Sequence, residues 1–134
     1  MSILKLDQAL VTDFVAQDFG LPVAHENADY KPTAGDEFVQ LTNFPNEVRP
    51  VGLSDTDEMD GVLQFVLYYP TGKGAYDAKE KAQTIFDAYP AGRELTYSGA
   101  TLYIRGHERP SAFPEDGWYK VRGLIYYDAR LARQ

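Results

Sequence analysis

The residues of this 134-residue chain best suited to chemistry lie in a few short stretches. Gly72-Lys73-Gly74 falls between an apolar run and an amphipathic one, where backbone amides opening a helix can cradle an anion. A nucleotide-binding loop needs the spacing G-x-x-x-x-G-K-[ST]. Position 67 is Leu, and Lys73 is followed by Gly74 and Ala75, so no hydroxyl is placed for magnesium. A tight strand-to-helix turn is the better reading. Asp55-Thr56-Asp57-Glu58-Met59-Asp60 gathers four carboxylates and resembles a calcium loop, because a cation relieves their mutual repulsion. Met59 takes the third ligand position and Asp60 that of the turning glycine. The run therefore reads as a solvated loop joining two strands, with weak divalent binding at Asp55, Asp57, Glu58 and Asp60 as a minor alternative. No cofactor is expected.

His25-Glu26 and His107-Glu108 each set an imidazole beside a carboxylate in sequence, but adjacent strand residues point to opposite faces. None of the serines, at 2, 54, 98 and 111, lies in G-x-S-x-G. The chain has no Cys, which removes disulfides, thiolate zinc sites and Cys nucleophiles together. A small enzyme or ligand-binding protein using His25 or His107 with carboxylates is the alternative to a non-catalytic role. Among the aromatic residues, Tyr30, Tyr76, Tyr103 and Tyr126 fall outside core spacing, and exposed tyrosine suits a protein interface.

The elements that would carry these residues follow from periodicity. From Ile3 to Phe19, apolar residues recur at three- and four-residue steps, with Gly20 and Pro22 beyond them, which predicts a helix. Residues 36–44 and 48–53 suit strands near a sheet edge, Pro50 keeping the second peripheral. Residues 62–69 are apolar at both alternating sets of positions, which predicts a central strand covered on both sides. Ala78, Ala82, Ile85, Phe86 and Tyr89 define a second amphipathic helix, stopped by Pro90 and Gly92. Glu94–Tyr97 and Ala100–Gly106 suit a hairpin turning at Ser98-Gly99. Residues 118–128 alternate Tyr119, Val121, Ile125 and Tyr127 against Lys120 and Arg122. The expected fold is α+β, two helices packed on a mostly antiparallel, partly mixed sheet, in a single domain over 1–134.

The formal charge is −7, with 7 basic and 16 acidic residues in 1–98 but 6 basic and 4 acidic in 99–134. An acidic chain is poorly suited to gripping nucleic acid or an anionic membrane. No apolar stretch approaches a membrane span, and Lys5 and Asp7 interrupt what a signal peptide would need, so a protein used without export is expected.

Several fragments, in order, are similar to one family. They are the segment 25–39 (HENADYKPTAGDEFV), Arg49 shortly before Gly52, Tyr68-Tyr69-Pro70-Thr71-Gly72-Lys73-Gly74 leading into an Ala-rich helix, and 116–121 (DGWYKV). Together they resemble the phage tail-terminator-like proteins. The resemblance implies a structural virion protein of long-tailed bacteriophages or prophages, a minor tail protein assembled in the host cytoplasm. It implies a homohexameric ring on the finished tail tube that stops polymerisation, offers a surface to the head–tail connector and lets DNA pass through its lumen without tight binding. No catalysis and no membrane are implied. Glu26, Asn27, Tyr30, Pro32 and Gly35 match the family's N-terminal loop segment, and Pro70, Gly72 and Gly74 its turn before the second helix. Glu26, Asn27, Tyr30, Arg49, Lys73 and Tyr76 are the interface candidates, and Pro50 directly after Arg49 departs from the pattern.

Overall fold

The computed structural model describes residues 3–24, 37–46, 49–50, 56–70, 72, 75–97, 100–115 and 117–132. Helix α1 (Ile3–Gln17) is followed by strands β1 (Val23–Ala24), β2 (Phe38–Pro45), β3 (Arg49–Pro50) and β4 (Thr56–Pro70). Helix α2 (Ala75–Ala88) and strands β5 (Glu94–Tyr97), β6 (Ala100–Glu108), β7 (Phe113–Glu115) and β8 (Trp118–Ala132) complete it. Among the described residues the strands form one sheet in the order β1-β2-β4-β8-β6-β5, with β3 on β4 and β7 on β8. The β1–β2 pair is parallel and the other pairs are antiparallel, so the sheet is mostly antiparallel and partly mixed.

The spine is the β4–β8 pair, in continuous register from Thr56↔Ala132 to Pro70↔Trp118. Alternation decides what each strand buries. Met59, Leu63, Phe65, Leu67 and Tyr69 of β4 are buried with Val121, Ile125, Tyr127 and Ala129 of β8, and both helices pack on this inner face. Helix α1 contributes Ala9, Leu10 and Phe14 to it, and α2 contributes Ala78, Ala82, Ile85 and Phe86. The small Ala78 and Ala82 let α2 lie close over β8, and the Phe86 ring tilts against Phe65 at 5.3 Å between centroids. Burying each such large side chain stabilises the fold by about 1.5–3 kcal/mol. Gly123 lies beneath the Phe65 ring, and a Cβ there would stand 2.7 Å from Phe65 Cε1 and nearer still to other atoms of the ring.

Polar groups tie the helices to the sheet. The Tyr127 hydroxyl donates to Asn43 Oδ1 at 2.6 Å, and Asn43 Nδ2 donates to Asp7 Oδ1 at 2.6 Å, linking β8, β2 and α1. Arg93, just beyond α2, grips Asp13 of α1 with two nitrogens at 2.8 and 3.1 Å and donates to the Ala88 carbonyl at 2.8 Å. The Arg93 guanidinium also sits 5.0 Å from the centroid of the buried Tyr89 ring.

Two expectations from the sequence are corrected. The acidic run is no loop: Thr56 to Asp60 forms the first third of β4, because Met59 fits the inner face and the backbone pairs with β8. Among the described residues the central strand is covered by helices on one side only. Its other set, Val62, Gln64, Val66 and Tyr68, is only half-buried.

Candidate assembly surface

The outer sheet face is built by the alternate residues that the core does not use. Register places Phe44 opposite Val62, Gln40 opposite Val66, and Phe38 opposite Tyr68. Across β8 it sets Tyr126 beside Val62, Leu124 beside Gln64, Arg122 beside Val66, and Lys120 beside Tyr68. The result is a broad half-apolar surface over which no described element lies. Phe44 is 50% exposed although it is a large apolar side chain.

One end of this face is consolidated by aromatic rings. Phe38 stacks on Tyr68 at 4.4 Å and meets Trp118 edge-on at 5.3 Å. The Lys120 ammonium lies 4.9 Å from the Tyr68 ring centroid and pairs with Glu115 at 2.5 Å, while the Tyr68 hydroxyl donates to Gln40 Oε1 at 3.0 Å. These contacts fix the aromatic side chains before any partner arrives, which lowers the entropic cost of docking.

A register shift between Ile104 and Gly106 makes Arg105 the extra residue of a bulge. Bulges re-aim side chains. The Arg105 guanidinium lies 5.6 Å from the Tyr126 ring, and the Tyr126 hydroxyl donates to Glu108 Oε1 at 2.7 Å. That hydrogen bond, together with desolvation and the Glu108 charge, raises the Tyr126 pKa against the opposing effect of Arg105. Arg122 is exposed and makes no ion pair among the described residues.

On the opposite side of the molecule, α2 turns Tyr76, Glu80, Gln83 and Asp87 to solvent, spaced i, i+4, i+7 and i+11 and hence in one row. Tyr76 is 84% exposed, and Gln83 Nε2 donates to Asp87 Oδ1 at 2.8 Å. Ahead of this helix Pro70 ends β4, and Gly72 has φ +97°, a conformation that favours glycine.

The residues first considered for chemistry are not brought together. Asp57 shares the parity of the inner-face Met59, whereas Glu58 and Asp60 belong to the outer face, so strand alternation splits the carboxylates of the supposed cation loop. Asp55 lies outside the described residues. Among the described residues no cluster of three or more His, Asp or Glu could hold a metal. A cleft of about 430 Å³ lined by Glu58, Met59, Tyr103, Asp128, Ala129 and Arg130 opens at that end of the sheet. The His107 ring stacks on Phe86 at 4.4 Å, on the face opposite to Glu108, so this pair does not meet. His25, Glu26, Asn27, Tyr30, Pro32, Gly35, Lys73 and Gly74 lie outside the described residues, as does the Arg49 side chain, whose backbone pairs with Glu58. Tyr103 is 39% exposed, whereas Tyr126 is half-buried by its contacts with Arg105 and Glu108. Sequence reasoning missed Arg105 and the Phe38–Tyr68–Trp118 cluster. The glycine following Arg105 inside an alternating strand is the one signal that could have marked the bulge.

Residues 5–122 match the family described as phage tail terminator protein. No curated protein matches the sequence significantly. Nine solved chains match by structure. One of them, named only by a sequence identifier, superposes with a TM-score of 0.77 over 96% of each chain at 21% identity, a likeness of fold.

Proposed function

The chain belongs to the phage tail terminator family, and we propose that it caps a tail tube as a homohexameric ring, ending polymerisation and presenting its far side to the head–tail connector. The coarser part follows from membership: this is a structural component of a phage tail. The observation that supports the reading is the family match across residues 5–122, which takes in nearly all of both helices, strands β1 to β7 and the start of β8.

Physical argument supports it. A stack of identical rings grows without limit unless a component with a single tube-compatible face ends it. A net charge of −7 suits a lumen through which DNA must move, because each neutralised phosphate would add salt-dependent affinity and so drag. The protein acts without catalysis or cofactor, assembling in the host cytoplasm.

The test is polymerisation of the cognate tube protein with and without this chain, read by electron microscopy. Tubes of bounded length carrying the protein at one end are expected. Tubes that lengthen regardless, or that carry it along their sides, would exclude capping.

A further inference from the structure

Two surfaces on opposite sides of this molecule complement one another. The sheet's outer face offers an apolar centre, Phe44, Val62, Val66 and Leu124, flanked by Arg122 on β8 and Arg105 on the β6 bulge. The α2 row offers Tyr76, an exposed aromatic anchor, and the carboxylates Glu80 and Asp87. We infer that the α2 row of one copy docks on the outer sheet face of the next, Glu80 meeting Arg122, Asp87 meeting Arg105, and Tyr76, one turn before Glu80, reaching the Tyr68–Trp118 end of that face. This rests on the ring reading and supplies its contact.

Spacing agrees. Glu80 and Asp87 are seven residues apart on a helix, about 10 Å at 1.5 Å per residue. Arg105 lies beside Tyr126, four residues along β8 from Arg122, about 14 Å at 3.4 Å per residue. Two flexible guanidinium side chains close the remainder. Polarity fixes the direction of docking. Glu58, Asp60 and Asp128 outnumber Arg130 at the far end of the same face, so an α2 row laid toward them meets net negative charge. Glu108 and Glu115, the carboxylates nearest the arginine end, are already engaged by Tyr126 and Lys120. Because the two surfaces differ, the contact is heterologous, the kind that generates a ring when its rotation closes.

The chain has no native cysteine, so single cysteines report the contact without interference. Val66→Cys and Gln83→Cys are made separately, mixed, and mildly oxidised, at high concentration and on tube ends. Disulfide-linked heterodimers should dominate over both homodimers, and the doubly substituted chain should give a ladder closing at the ring. In parallel, Arg122→Glu and Glu80→Lys should each abolish oligomers by native mass spectrometry, and mixing the two should restore contact between them. Circular dichroism checks that each variant is folded. Hexamers that form without the mixed cross-link overturn this contact and leave the ring reading intact. Dominance of Val66–Val66 homodimers makes the contact isologous and overturns it as well. Wild-type protein that stays monomeric in solution and on tube ends removes both.

Discussion

Gly123→Ala tests whether the packing between the two central strands is as tight as the backbone implies. The added Cβ would enter the Phe65 ring, 2.7 Å from Cε1 and closer to its other atoms, far inside ordinary carbon contact. Phe65 cannot swing away freely, being fully buried and wedged by Phe86 at 5.3 Å. Overpacking of this kind costs about 1–3 kcal/mol. Removing a glycine returns about 0.4–1 kcal/mol by restricting the unfolded chain. The net expectation is a loss of about 1–2 kcal/mol, or about 3–8 °C in melting temperature for a domain of this size. Gly106→Ala is the control, since nothing lies within 4 Å of its Cβ position. It should melt at or slightly above wild type. Phe65→Leu opens space above position 123, so the double variant should be more stable than the two single losses together require. Thermal and urea unfolding of the wild type and these four variants measures this. A Gly123→Ala protein as stable as wild type, with no coupling to position 65, would refute the packing argument.

Arg93 should be irreplaceable by lysine, because only a guanidinium can hold both Asp13 oxygens and the Ala88 carbonyl while lying over Tyr89. Arg93→Ala and Arg93→Lys should both lower the free energy of unfolding in urea, by about 1–3 kcal/mol for the alanine, and a lysine variant equal to wild type would contradict this. Alkali should destabilise the fold through tyrosines that are buried neutral. Burial, with the charges of Glu37 and Asp77, pushes Tyr69 up to about 12; burial followed by Asp13 raises Tyr89, and burial with Asp7 and Asp60 outweighs the Asn43 hydrogen bond to raise Tyr127. The folded state therefore holds these protons longer than the unfolded chain, so their contribution is fully present below about pH 10 and is lost as pH rises beyond it. Absorbance titration should show Tyr69, Tyr89 and Tyr127 ionising only with unfolding, and a single reversible titration of all ten tyrosines near pH 10 would count against it.

Periodicity made the helices legible, because Ala78, Ala82, Ile85 and Phe86 can share a face only at helical spacing, and β5 pairs antiparallel with β6 up to Tyr97↔Ala100, as a hairpin requires. The acidic run was misread for a physical reason. Four carboxylates argue for solvent when counted, yet Asp57 to Asp60 needs only one side of the strand to be apolar, and Met59 supplies it. The pairing that holds them, Glu58↔Arg130 and Asp60↔Asp128, depends on a partner some seventy residues away. No local signal carries that. The candidate surface was legible in part: Tyr76 stood out by falling off the core spacing of α2, whereas the neighbourhood of Arg122 and Arg105 exists only once β4, β8 and β6 are aligned.

The most informative misreading is that of β4 itself. Its Val62, Val66 and Tyr68 look like core positions, and an apolar run on both faces normally means a layer on each side. Within the described residues both helices lie on one face, so there is no second layer for the other. A sequence pattern cannot say whether the missing cover belongs to the same chain or to another. Apolar residues retained on an uncovered sheet face are what an assembling protein requires and what a solitary one avoids. The fixed Phe38–Tyr68–Trp118 rings and the bulge-aimed Arg105 add direction to that face, so under the contact proposed above the apolar run of β4 is half of a core that a neighbouring subunit completes.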